Sequence, residues 1–306
     1  MGFMGLISQP FGALLLWLNN FTGNYGAALI VFTLIVRIIL LPLTVKQQKS
    51  MLESQKLQPH LAQIKEKYKN DKEKLNEETM KLYKAHNVNP AGGCLPLLIQ
   101  LPIILGLYQV IIKPLTHMFK LTADQINLLM EKVNQVLTAN GGQALQNASQ
   151  FEIKIAQNLT PDILRSAGID GVDIINFNFL GLNLGDTPSF AYINLLWIIP
   201  VLAYFSTFFS TKVTTAMSGN AQPDGGAASS MKTMNMIFPL MTAWFAFTMP
   251  AGVGLYWIIG NVIQMGQQVL LNYYFRSKRT EEVPLVTQTA ERTKERKPKK
   301  GGGRKK

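Results

Sequence analysis

Residues 26 to 45 read GAALIVFTLIVRIILLPLTV, twenty positions with a single charge, Arg37. At a helical rise of about 1.5 Å per residue such a run covers about 30 Å, the thickness of a bilayer's hydrocarbon core. Working outward, residues 94 to 112 and 190 to 211 carry no charge, and residues 233 to 275 run uncharged for 43 positions. That last window is twice what one helix needs. The MPAG at 249 to 252 interrupts it, and proline with glycine ends one helix and admits the turn to the next. The fold class read from this pattern is an all-α polytopic membrane protein with five transmembrane helices, over 25–45, 94–112, 190–211, 233–249 and 250–275.

Composition supports this. Of 306 residues 47% are apolar and 16% charged, against about a quarter charged in soluble domains, which argues against an ordinary cytosolic enzyme. A lone cysteine, Cys94, permits no intramolecular disulfide. With only His60, His86 and His117 beside it, a structural zinc site is disfavoured. Neither metal nor cofactor is expected.

The 30 Lys and Arg outnumber the 18 Asp and Glu, and the excess lies between the windows. Residues 46–93 carry a balance of +4, residues 113–189 of −2, residues 212–232 of +1 and residues 276–306 of +8. Because Lys and Arg mark the cytoplasmic side, the first span enters from outside and the C-terminal tail is cytoplasmic. Residues 1–24 lack the basic start and small-residue cleavage site of a signal peptide. Pro10 and the glycines at 2, 5 and 12 interrupt them, which favours an outer-surface helix around residues 10 to 20 over a sixth span.

Between the first two windows, Leu57, Leu61, Ile64 and Tyr68 recur at helical spacing, as do Leu75 and Leu82, with Asn70-Asp71 between. This predicts a cytoplasmic helical hairpin within 46–93 whose first arm Pro59 starts or kinks. In the 113–189 loop, Thr122 precedes Ile126, Leu129, Met130, Val133 and Leu137, the pattern of a capped amphipathic helix. Residues 216–230, rich in Gly, Ala and Ser, read as a flexible cytoplasmic loop.

Arg37 is the most informative residue. An arginine inside a span costs about 2.5–3.5 kcal/mol even on the translocon scale, and none of the five windows contains an acid to pair with it. Eight residues separate it from Val45, so it lies about 12 Å from the inner end of the span. Thr33 is one turn away, Gln100 has a similar depth, and Gln264, Gln267 and Gln268 occupy the cytoplasmic half of the last span, with Asn261 and Gln264 on one face at i and i+3. Together these groups predict a hydrophilic groove at inner-leaflet depth. The competing reading is that Arg37 snorkels to the interface and the amides join helices; it is the simpler one for any single amide, while the set favours the groove.

No enzyme is expected, since the spans hold neither acids nor histidines and the Ser229–Lys232 match to S-x-x-K sits in a loop without companion motifs. An ion-coupled transporter would show membrane carboxylates and an inverted repeat. A channel or an assembly scaffold remains as the alternative. A site for polypeptide fits the amides, the one positive charge and the nearby Met231, Met234, Met236 and Met241, since methionine adapts to varied apolar partners.

Four stretches in order, LIVRIILLPLTVKQQKS, KEKYKNDKEKLNEETMKLYKAHNVNPAGGCLPLLIQLPI, FNFLGLNLGDTPS and FPLMTAWFAFTMPAGVGLYWIIGN, resemble the YidC-type membrane protein insertases over about residues 20 to 275. The likeness is to the five-span bacterial form without the large extracytoplasmic domain, although the lipoprotein signal of many Gram-positive relatives is missing. The resemblance implies a protein of the bacterial plasma membrane, acting as a monomer on nascent membrane proteins. Its groove would be open to cytoplasm and lipid and closed outward, with Arg37 inside and Thr33, Gln100, Tyr256 and Trp257 as groove or substrate contacts. It also implies the Sec translocon and the signal recognition particle receptor as candidate partners. Sec dependence and substrate range are not legible in the sequence. No nucleotide motif is present, so partitioning and the membrane potential would supply the energy. In the tail, Arg292, Lys294, Arg296, Lys297, Lys299, Lys300, Arg304, Lys305 and Lys306 fall among Gly, Pro and Thr, a segment that builds no core and whose charge density favours the ribosome over anionic lipid as partner.

Overall fold

The computed structural model describes the backbone of residues 3–86, 88, 95–217 and 226–278. Helix α1 (Phe3–Thr22) turns through Gly23 and Asn24 into α2 (Tyr25–Ile39). There the chain bends by 57° into α3 (Leu41–Lys56). The single straight span expected over 25–45 is therefore a broken one, and the rod runs on well past residue 45. Pro42 explains the break, because its ring meets the carbonyl four residues earlier, its nitrogen donates nothing, and it restrains Leu41.

Helices α4 (Gln58–Lys67) and α5 (Lys72–Ala85) form the helical hairpin. Pro59 lies in the first turn of α4, and Asp71 caps α5 by accepting from the Lys74 N–H. The hairpin's own core is small: Leu57, Leu61 and Val88, with Leu82 and Tyr83 against them.

α6 (Leu95–Ile112) returns to the opposite end of the molecule, here called the loop end. There α7 (Pro114–His117), α8 (Ala123–Ala139), α9 (Ala148–Gln157), α10 (Pro161–Ala167) and a two-stranded hairpin, β1 (Asn178–Phe179) with β2 (Leu182–Asn183), form a cap. Thr122 and Gln125 make a reciprocal capping box at the start of α8, and Ile126, Leu129 and Val133 are buried, so this helix packs into the cap.

A short 3₁₀ turn (Leu195–Trp197) leads into α11 (Ile198–Met217), which is followed by α12 (Gly226–Thr248) and α13 (Ala251–Lys278). α12 starts inside the stretch read as a flexible loop. Its early residues, from Gly226 to Ser230, are mostly Ala and Ser, which the helix accepts because its apolar continuation docks on α11. Among the described residues Leu195–Met217 alone is long and apolar enough to cross a membrane unbroken, and the bent α2–α3 pair qualifies jointly. α13 is diluted by its amides, Asn261, Gln264, Gln267 and Gln268. α1 packs on α2 and α6, α2 on α13, and α11 on both α12 and α13. One core joins them, with Leu15, Leu18, Leu29, Phe32, Leu107 and Leu129 at 0–1% exposure.

Candidate functional site

Arg37 lies in the last turn of α2 and is half-buried. Its Nη2 donates to Oε1 of Gln264 on α13 at 3.3 Å, and its backbone carbonyl accepts from Nε2 of Gln267 at 3.4 Å. α13 can come this close because residue 260 is glycine: a Cβ there would sit 3.2 Å from Arg37 Nη2. Among the described residues no carboxylate lies within ion-pair distance of Arg37.

One turn earlier on α2, Thr33 is 1% exposed and its hydroxyl donates to the Leu29 carbonyl at 2.7 Å. Across the seam, Gln100 of α6 donates through Nε2 to the buried Tyr256 hydroxyl at 3.0 Å. On α13, Tyr256, Gly260, Gln264 and Gln267 thus form a stripe at spacings of four, four and three. That stripe faces α2 and α6.

The other amides point elsewhere. Nδ2 of Asn261 donates to the hydroxyls of Ser206 and Thr207 on α11 at 3.2 and 2.9 Å, and Oε1 of Gln268 accepts from Thr214 at 2.9 Å. Trp257, half-buried, falls on the same second stripe by spacing. The polar set expected around Arg37 is therefore divided: Thr33, Gln100, Tyr256, Gln264 and Gln267 gather at the α2–α6–α13 seam, while Asn261 and Gln268 join α13 to α11. The basic residues from Arg292 to Lys306, and the side chains of Met231 and Met234, lie outside the described residues. Met236 and Met241 are exposed on α12.

Toward the helical-hairpin end the seam stays polar but incompletely paired. Nε2 of Gln48 on α3 and Oε1 of Gln267 are buried without a protein partner among the described residues.

The loop end is closed by hydrogen bonds to backbone carbonyls. The Asn24 side chain caps α2 and donates to the Asn178 carbonyl at 2.7 Å, and the Tyr25 N–H donates to the Asn176 carbonyl at 3.1 Å. The first two N–H groups of α13, from Ala251 and Gly252, donate to the carbonyls of Asp186 and Leu184 at 2.8 Å each. The β1–β2 hairpin thereby staples together the first turns of the two helices that carry the seam. The Asp186 carboxylate is held in turn by Lys154 and by Gln157 at 3.1 Å. Sequence reasoning missed both Gly260 and this staple. The only signal for the staple was the turn-rich NLGDTPS at 183–189.

The family model described as 60Kd inner membrane protein matches residues 17–279. The chain belongs to this family. Among its relatives, "Membrane protein insertase YidC" of Fusobacterium nucleatum is 34% identical over 266 residues, covering 87% of this chain and 95% of that protein. "Membrane protein insertase YidC 1" of Listeria monocytogenes is 31% identical over 287 residues, covering 92% and 76%. A crystal structure of an active YidC insertase with its first transmembrane domain resolved has the same fold, with a TM-score of 0.52 and 24% identity. The match covers 87% of this chain and spans 46% of the other. Family membership makes this an all-α membrane protein and places the apolar helices in a bilayer.

Proposed function

We propose that this protein is a membrane protein insertase whose seam beside Arg37 receives a hydrophobic segment of a nascent membrane protein and releases it sideways into lipid. One observation carries the reading: a half-buried guanidinium on a spanning helix, partnered by an amide with no carboxylate near it among the described residues. A charge so placed is costly to the resting protein and is available to an incoming acidic group, because its attraction is strong where water is scarce. Removal of the segment's apolar surface from water then favours its passage into the bilayer.

The bonds that fasten the loop end oppose a continuous pore, which favours an insertase over a channel. The basic balance of residues 46–93 and of the tail puts the helical hairpin and the C-terminus in the cytoplasm. The seam is then entered from that side, where the ribosome, the Sec translocon and the signal recognition particle receptor would meet it. The protein works as a monomer in the bacterial plasma membrane, with the tail reaching the ribosome.

Reconstitution into vesicles with a single-span substrate bearing an acidic outer tail tests this. Arg37→Ala should lower insertion by roughly tenfold, the effect of losing about 1.4 kcal/mol of attraction, and Arg37→Lys should retain most of it. Equal insertion by wild type and Arg37→Ala at matched protein density would remove the electrostatic role.

A further inference from the structure

Helix α1 contains no charged residue. Its inner side is an ordinary packing face: Leu15 and Leu18 are 0% and 1% exposed, and Phe11 meets Phe32 of α2 edge-on with ring centroids 5.2 Å apart. Its opposite side carries Leu6, Pro10, Ala13, Trp17 and Phe21 at helical spacing, all exposed. Leu6, Trp17 and Phe21 are 70%, 61% and 77% exposed, and the two rings stack at 5.8 Å. A helix lying flat on the outer surface would turn polar groups to water on this side. Here the exposed polar group is Asn20, one turn from the loop end, where it donates to the Asp173 carboxylate at 3.0 Å.

The neighbours give the depth. Ile7 packs where a Cβ on Gly106 would come within 2.6 Å of it. Gly106 is six residues inside the loop-end terminus of α6, or about 9 Å at the helical rise. Phe32 is seven residues inside the start of α2, about 10 Å by the same measure. The first turns of α1, around Ile7, therefore lie below the ends of its neighbours, while Gly12, where a Cβ would meet the His117 backbone, is already level with α7 at the loop end. α6 exposes Leu105 close to the level of Ile7, at 45%.

We propose that α1 descends at a tilt into the leaflet on the loop side, with the Leu6–Pro10 end of this face as a contact surface for lipid acyl chains and Ala13 at the boundary. Trp17 and Phe21, nearest the loop end, sit at headgroup level, where amphipathic aromatic rings collect. This replaces the outer-surface helix expected from the sequence. It rests on the reading of α6 as a spanning helix, and the experiment therefore includes a probe on α6 itself.

In the full-length protein, Cys94→Ser removes the native thiol, and single cysteines at Leu6, Ala13, Trp17, Leu105 and Glu77 are spin-labelled after reconstitution into phosphatidylcholine–phosphatidylglycerol vesicles. Collision with oxygen is compared with collision with a water-soluble nickel chelate. Because a polar complex is strongly excluded from hydrocarbon, the oxygen-to-nickel ratio at position 6 should exceed that at 77 by about tenfold and equal that at 105, with positions 13 and 17 intermediate. A ratio at 6 like that at 77, with 105 still lipid-like, overturns the proposal and leaves the spanning reading intact. A label at 105 that collides freely with nickel overturns the spanning reading and the proposal with it. Shielding of 6 and 13 from both reagents means that a second copy or another protein covers the face, and it also overturns the lipid assignment.

Discussion

At Arg37 and along α13, polar side chains of one chemical type do two kinds of work, and mutation should separate them. Gln264 touches the guanidinium, whereas Asn261 lies between Ser206 and Thr207. Ser206 also donates to the Ala203 carbonyl at 3.1 Å, so it keeps a partner if Asn261 is removed. Asn261→Ala should therefore lower the melting temperature, by the equivalent of about 0.6–1.7 kcal/mol expected for an interhelical hydrogen bond in a membrane, with insertion by the surviving folded protein unchanged. Gln264→Leu should do the reverse, reducing insertion several-fold with little change in melting temperature. If both variants lose stability and keep activity per folded molecule, the distinction drawn between the two stripes is wrong. That the groups are intramembrane and polar was legible from sequence, since each interrupts an apolar window. Their partition was not, because at 100° per residue the two stripes lie roughly a quarter turn apart and only the positions of α2 and α11 decide which is which.

Among the elements, the loop-end cap holds α6 through one buried acid. Glu152 of α9 is 3% exposed and accepts the Thr116 N–H at 3.1 Å and the Thr116 hydroxyl at 2.9 Å, which fastens the short α7 just beyond the end of α6. Burial pushes its carboxyl above the ordinary value, and the two Thr116 bonds and Lys113 offset part of that rise. The folded state then binds the proton more tightly than the unfolded chain. Its contribution to stability is greatest below the ordinary carboxylate value of about 4.3, declines as pH rises through the raised value, and is level above it. Thermal unfolding in detergent from pH 4 to 7 should show wild type losing stability relative to Glu152→Gln across that window, since glutamine still accepts from the N–H and has no charge to bury. Glu152→Ala should lose about 1–3 kcal/mol at every pH by leaving the Thr116 N–H unmatched. A constant difference between wild type and Glu152→Gln would show that the carboxyl does not titrate differently on folding. Sequence revealed the cap's helix α8, because a capping box and a helical apolar period are local signals. The staple of β1–β2 across α2 and α13 is made of backbone bonds between positions more than sixty residues apart, and no local pattern encodes it. The bend at Leu40 was readable from Pro42 alone, yet an unbroken apolar run outweighed it.

For the whole molecule, the charge distribution is the feature from which a link between the seam and its source of substrate is proposed. Residues 276–306 carry a balance of +8, and topology or attraction to anionic lipid needs only a few of those charges at about 1 kcal/mol each. Nine Lys and Arg between Arg292 and Lys306 exceed that need and match a polyanion of high charge density. Ribosomal RNA is the one that an insertase acting during synthesis would meet. Binding by such a segment releases counterions, so with about four phosphate contacts the logarithm of the affinity should fall against the logarithm of salt concentration with a slope of about −3. Deleting residues 280–306 should therefore reduce co-sedimentation with ribosomes and flatten that slope. It should leave insertion of a substrate released from the ribosome intact, because the seam of α2, α6 and α13 ends at Lys278. Anionic vesicles provide the control: if truncation weakens vesicle binding and leaves ribosome binding unchanged, the tail serves the membrane surface.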